Sequence, residues 1–86
     1  MSCINKKSVF WKRVGTETVL LNVDTGFYYT LAEVGGRIWE MLVVDCNEEQ
    51  IATAIAQEYG VKEQRVSQDL QDLIKELKKE KILSVT

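Results

Sequence analysis

Hydrophobic and polar positions change their period once along this chain. Residues 8–14, Ser-Val-Phe-Trp-Lys-Arg-Val, are β-branched and aromatic with partial alternation, which predicts a strand. Lys12 suits a sheet edge, where a charge discourages sideways pairing. Gly15-Thr16 supplies a turn. From Glu17 to Val23 the alternation is cleaner, with Val19, Leu21 and Val23 on one face and Thr18, Leu20 and Asn22 on the other. Asp24-Thr25-Gly26 reads as a hairpin connection in which Gly26 can take a positive φ. Phe27 to Leu31 follows as a third strand, so residues 1–31 are expected to form a small antiparallel sheet.

From residue 32 the period becomes helical. Val34, Ile38, Met41 and Leu42 share one face, with Trp39 at its margin. Gly35-Gly36 inside this helix costs up to about 1 kcal/mol per glycine relative to alanine, so a close backbone approach or a frayed first turn is expected there. Asn47-Glu48-Glu49-Gln50 has the form of a capping box, with Asn47 as N-cap. Ile51, Ala52, Ile55, Ala56 and Tyr59 stripe this second helix, and Gly60 stands where a left-handed C-terminal cap belongs. A third helix is predicted over about 62–80, with Val66, Leu70, Leu73, Ile74 and Leu77 on its buried face. Lys62 caps it poorly. Ile82 to Val85 is read as a short closing strand. The fold class is α+β: a three-stranded antiparallel sheet followed by three helices, in winged helix-turn-helix order.

Composition narrows the function. At 86 residues the chain is read as one domain, 1–86, and no apolar run approaches the roughly 20 residues that cross a bilayer. Met1 to Val14 has no signal-peptide core, so the expected location is the cytoplasm. The formal charge is −2, from 11 basic and 13 acidic residues. That balance disfavours nucleic acid, which needs a concentrated basic face. Residues 1–15 carry Lys6, Lys7, Lys12 and Arg13 with no acid. Cys3 and Cys46 fit no metal-ligand spacing and are read as free thiols, and with no histidine neither a zinc site nor another metal or cofactor is expected.

The same lack of histidine removes the usual general base. Asp69 and Asp72 lie a turn apart but read as a solvated helix face, Cys46 has no identifiable base beside it, and Gly35-Gly36 lacks the spacing and lysine of a phosphate loop. No enzyme is expected. A DNA-binding winged helix is a second reading, yet the third helix sets Glu63, Asp69, Asp72, Glu76 and Glu80 against Lys62, Arg65, Lys75, Lys78 and Lys79. A purely structural subunit is a third.

The aromatic strand is the remaining candidate. Phe27, Tyr28, Tyr29 and Leu31 put large apolar groups on both faces, which fits either a strand covered twice or an open edge beside an aromatic trough. An open edge invites an extended peptide by strand addition, where backbone pairing supplies affinity and pockets supply selectivity.

Leu20-Leu-Asn-Val-Asp-Thr-Gly-Phe-Tyr-Tyr-Thr-Leu, then Val34-Gly35, Ile38-Trp39, and Val66, Asp69, Leu70, Leu73 and Leu77 in order resemble the PqqD-like family over residues 8–84. These are leader-recognition elements of pathways to ribosomally made, post-translationally modified peptides. Ala32 stands where members often have asparagine. Asp24-Thr25-Gly26 replaces the tyrosine-proline-glutamate-glycine turn of members serving pyrroloquinoline quinone synthesis, so the chain looks more like the stand-alone leader-binding protein of lasso-peptide pathways, with the quinone-pathway peptide chaperone as the alternative. The resemblance implies a leader peptide added beside Phe27, Tyr28, Tyr29 and Thr30, in a groove walled by Val66, Asp69, Leu70 and Leu73 of the third helix. It implies a precursor peptide and a separate modifying enzyme or leader protease as partners. A monomer, or a weak dimer through the sheet edge, is the expected state.

Overall fold

Turn chemistry and helix caps set the frame of the molecule. The computed structural model describes residues 2–4 and 8–85. Its elements are β1 (Ser2–Ile4), β2 (Val9–Val14), β3 (Glu17–Asn22), β4 (Phe27–Leu31), α1 (Glu33–Val43), α2 (Glu48–Tyr59), α3 (Glu63–Lys79) and β5 (Leu83–Val85). The strands β2-β3-β4 form an antiparallel meander, and β1 pairs antiparallel with β5 in a separate two-stranded ribbon. The three helices follow the meander, as the change of period predicts. The ribbon joining the two ends of the described chain is an addition to that expectation. Lys6 and Lys7 of the basic segment lie outside the described residues.

Gly26, at φ 72°, closes the β3–β4 hairpin, and its N–H donates to the Asn22 carbonyl at 2.8 Å. The capping box at α2 is complete: Asn47 Oδ1 accepts from the Gln50 N–H at 2.7 Å, and Gln50 Oε1 accepts from the Asn47 N–H at 2.8 Å. Gly60 ends α2 in the left-handed conformation, φ 64°. Neither Ala32 before α1 nor Lys62 before α3 makes a side-chain cap.

The inner face of the meander is the one that looks more polar in sequence. Thr18, Leu20 and Asn22 are buried on β3, opposite Leu31, Tyr29 and Phe27 of β4. Asn22 earns its burial through hydrogen bonds: its side chain accepts from the Asp24 N–H at 3.0 Å and donates to the Glu80 carbonyl at 3.2 Å. It thereby ties the hairpin turn to the end of α3. Val19 and Leu21 face the helix-free side and stay half exposed.

Two further assignments along α1 shift. Trp39 is not at the margin but fully buried, with its ring 6.4 Å from that of Trp11 in an edge-to-face pair, while Val34 is largely exposed. The cause is Gly36. A Cβ there would crowd Thr18 Oγ1 and come within 3.2 Å of Thr18 Cβ, so the missing side chain lets α1 lie against β3. Gly35 makes no such approach; its Cβ would sit 3.5 Å from Leu31 Cβ, an ordinary contact. Gly36→Ala should therefore lower stability by about 1–3 kcal/mol through overpacking. Gly35→Ala should raise it by up to about 1 kcal/mol through helix propensity. Urea denaturation of the two variants checks the contrast; equal effects would contradict the packing.

Around this joint the core is continuous, from Leu20 and Leu31 through Ile38, Ile51 and Ile55 to Val66, Leu70, Ile74 and Leu77. Arg13 of β2, Glu40 and Arg37 of α1, and Glu58 of α2 form an exposed chain of ion pairs at 3.3, 3.9 and 2.9 Å. Exposed pairs of this kind add about 0–1 kcal/mol each.

Candidate functional site

The backbone of β4 is the first component of the site. The Val23 N–H donates to the Ser8 carbonyl at 2.8 Å, so Val23 and Ser8 are a directly bonded pair of the β2–β3 ladder. Bonded and non-bonded pairs alternate in an antiparallel ladder, which turns Thr18, Leu20 and Asn22 toward β4. Their partners Leu31 and Tyr29 spend their backbone groups on β3, while at the turn the Phe27 N–H donates to Thr25 Oγ1 at 3.2 Å. The N–H and C=O of Tyr28 and Thr30 therefore point outward, and no described strand pairs with them. Tyr28 and Thr30 are the residues that can receive an added strand.

Side chains alternate the other way. Phe27, Tyr29 and Leu31 face the helical side: Leu31 is buried, Tyr29 half-buried, and Phe27 exposed with its ring 6.2 Å from that of Tyr29. Asp69, Leu73 and Glu76 of α3 and its C-cap Glu80 follow one another at spacings of four, three and four, which places them along one flank. Burial and the negative charges of Glu76 and Glu80 push the Tyr29 hydroxyl above its ordinary pKa. The Asn22 side chain, across from Phe27, donates to the Glu80 carbonyl at 3.2 Å, which places the C-terminal end of α3 against the hairpin. Leu73 is half-buried and Asp69 is exposed.

The residues singled out from the sequence separate into two groups. Phe27, Tyr28, Thr30 and Asp69 are exposed, and Tyr29 and Leu73 are half-buried. Leu70, 1% exposed, is committed to the core and serves as backing. Val66 is also buried but lines a cavity of about 270 Å³ that it shares with Val34, Ile38, Ile55, Tyr59 and Asp69. Sequence reasoning missed the α1 and α2 walls of that cavity. The exposed Val34 stands one turn before the core residue Ile38, and that spacing was the available signal.

The helix-free face of the sheet has its own character. Phe10 (62% exposed), Val14, Val19, Leu21 and Tyr28 (66% exposed) line a shallow apolar trough together with Lys12. Cys46 is a free thiol, and Cys3 lies among residues whose side chains are not described. Among the described residues no helix is long and apolar enough to cross a membrane.

Comparisons with known proteins agree on the fold. Among solved structures, that of TbiB1 in complex with the TbiA(beta) leader peptide is 34% identical, with a TM-score of 0.90 over 98% of this chain and 96% of the other. A lasso peptide synthetase B1 complexed with the leader peptide shares the fold at 19% identity, TM-score 0.88, over 98% of each chain. No curated protein matches the sequence. The profile described as Coenzyme PQQ synthesis protein D (PqqD) matches residues 17–83, more than three quarters of the sequence, and the chain belongs to the PqqD family.

Proposed function

We propose that this protein is a non-catalytic adaptor, acting as one domain in the cytoplasm, that binds the leader segment of a ribosomally made precursor peptide. The leader adds as a strand beside β4, its backbone pairing with Tyr28 and Thr30 and its side chains entering the cleft lined by Phe27, Tyr29, Asp69 and Leu73. Val66 and Leu70 support that cleft from the core side. The observation that carries the reading is the vacant outer edge of β4 with α3 flanking it. Likeness over nearly full length to TbiB1, solved with a leader peptide, favours the lasso-peptide type over a quinone-pathway chaperone.

Energetics require more than the strand. Two outward residues offer at most four backbone hydrogen bonds, worth about 2–6 kcal/mol net. A dissociation constant of about 1 μM needs about 8 kcal/mol, beyond the cost of ordering an extended peptide. Apolar burial in the cleft must supply several kcal/mol. Calorimetric titration with a synthetic leader peptide should give micromolar or tighter binding; no binding at 100 μM would remove the proposal.

An adaptor needs a second surface, and the trough around Phe10 and Tyr28 is suited to an apolar protein face on the modifying enzyme or leader protease. Holding the leader there raises the local concentration of the attached core peptide, to around millimolar for short flexible linkers. Phe10→Ser should leave leader affinity unchanged and slow processing of the precursor by its cognate modifying enzyme or leader protease about tenfold. Unchanged processing would free that face of the role.

A further inference from the structure

A buried carboxamide carries two N–H donors and two acceptor lone pairs, and any left unmet costs stability. Asn22, 1% exposed, meets all four. Its Oδ1 accepts from the N–H groups of Asp24 at 3.0 Å and Thr25 at 3.4 Å. Its Nδ2 donates to the carbonyls of Glu80 at 3.2 Å and Lys81 at 3.4 Å. Among the described residues no other hydrogen bond joins the β3–β4 hairpin to α3 or the turn after it. That turn is held in an unusual shape. The Ile82 N–H donates to the Leu77 carbonyl at 2.8 Å and the Lys81 N–H to the Lys78 carbonyl at 3.1 Å, so α3 ends in a Schellman motif. Its left-handed position is Lys81, at φ 59°, where glycine is usual.

We propose that Asn22 is a positioning residue for the leader: it holds the C-terminal end of α3 against the hairpin and thereby sets the width of the cleft beside β4. The inference rests on the leader-binding reading and adds what fixes the shape of that cleft. Asn22 stands opposite Phe27, the first residue of β4, so the tie closes one end of the cleft. Thr30 lies three residues beyond Phe27, about 10 Å along the strand. Leu73 lies seven residues before Glu80, about 10 Å along the helix. A swing of α3 about the tie grows with distance from it, and reaches Leu73 and Asp69 where leader side chains enter.

Asn22 is buried and acts through α3, without touching the leader itself. A cleft held at its bound width before the peptide arrives has less ordering to do on binding, which raises affinity. The left-handed Lys81 also gives a means of separating the position of α3 from the stability of the fold.

The test uses the full chain and a synthetic leader peptide of the cognate precursor. Asn22→Asp keeps an acceptor for Asp24 and Thr25 but sets an oxygen against the carbonyls of Glu80 and Lys81. Leader affinity of the folded variant should fall about tenfold, and its melting temperature should fall too. Lys81→Gly relieves the left-handed position, so alone it should raise the melting temperature and leave affinity unchanged. The double variant should recover melting temperature yet stay about tenfold weaker in binding. Recovery of affinity together with melting temperature would show a role in stability only and overturns the proposal. Unchanged affinity in Asn22→Asp overturns it as well. If Asn22→Asp alone does not fold, the double variant carries the measurement. Rapid solvent exchange of the Asn22 Nδ2 protons in the unaltered chain overturns the tie whatever the variants do. Two failures are distinguishable: no binding by the unaltered chain removes the leader reading and the positioning role together. Binding by the unaltered chain that Asn22→Asp leaves intact removes the positioning role alone.

Discussion

Trp39→Ala should cost about 3–5 kcal/mol and leave the protein largely unfolded at physiological temperature. The ring is fully buried where α1 meets the sheet, and its removal forfeits both transfer energy and the edge contact with Trp11. A domain of 86 residues holds only about 4–13 kcal/mol in total. At about 4–8 °C per kcal/mol the midpoint of thermal unfolding should fall by roughly 15–30 °C. Trp39→Phe should be much milder, because the indole N–H has no hydrogen-bond partner to lose. A melting temperature unmoved by Trp39→Ala would contradict the placement of α1 on β3, and with it the course of β4 immediately before.

The second large effect separates binding from folding within one strand. Thr30→Pro removes an N–H that points outward and fixes φ at a value that edge strands tolerate. Leader affinity should fall at least tenfold, from a lost backbone bond and the bulk of the ring, while stability changes by about 1 kcal/mol or less. Tyr29→Pro, one residue earlier, strikes the ladder to Leu20 and should destabilise the sheet itself by about 3 kcal/mol. Isothermal titration and urea denaturation on both variants give the comparison. Equal loss of affinity without unfolding in Tyr29→Pro would reverse the assignment of the edge.

Much of this geometry was legible in local sequence. The period change at residue 32, the turn at Gly26, the capping box at Asn47 and the left-handed Gly60 each have a near-neighbour cause, and each element formed where those signals stand. What escaped depends on distant partners. Ser2–Ile4 and Leu83–Val85 are too short to show a period, and their pairing joins opposite ends of the described chain. The choice of buried face on β3 turns on Asn22 finding the carbonyls of Glu80 and Lys81, and on Thr18 meeting Gly36. Trp39 looked marginal on a helical wheel because the wheel cannot show that Gly36 lets the whole helix settle onto the sheet.

The candidate site divides in the same way. Phe27 to Thr30 stood out by density of aromatic residues, and Asp69 and Leu73 by helical spacing. Leu70 and Leu73 look alike in sequence; only the packing of α3 sends one to the core and leaves the other half-buried. The cavity under Val34 needs three helices brought together, and the spacing of Val34 from Ile38 is a faint linear trace of it.

Amide hydrogen exchange, with and without a leader peptide, addresses the open edge of β4 most directly. In the free protein Tyr29 and Leu31 should be protected by their bonds to β3, and Tyr28 and Thr30 should exchange freely. Saturating leader should protect Tyr28 and Thr30 and leave the outer edge of β2, at Trp11 and Arg13, unchanged. Protection arising at Trp11 and Arg13 while Tyr28 and Thr30 stay open would contradict the account.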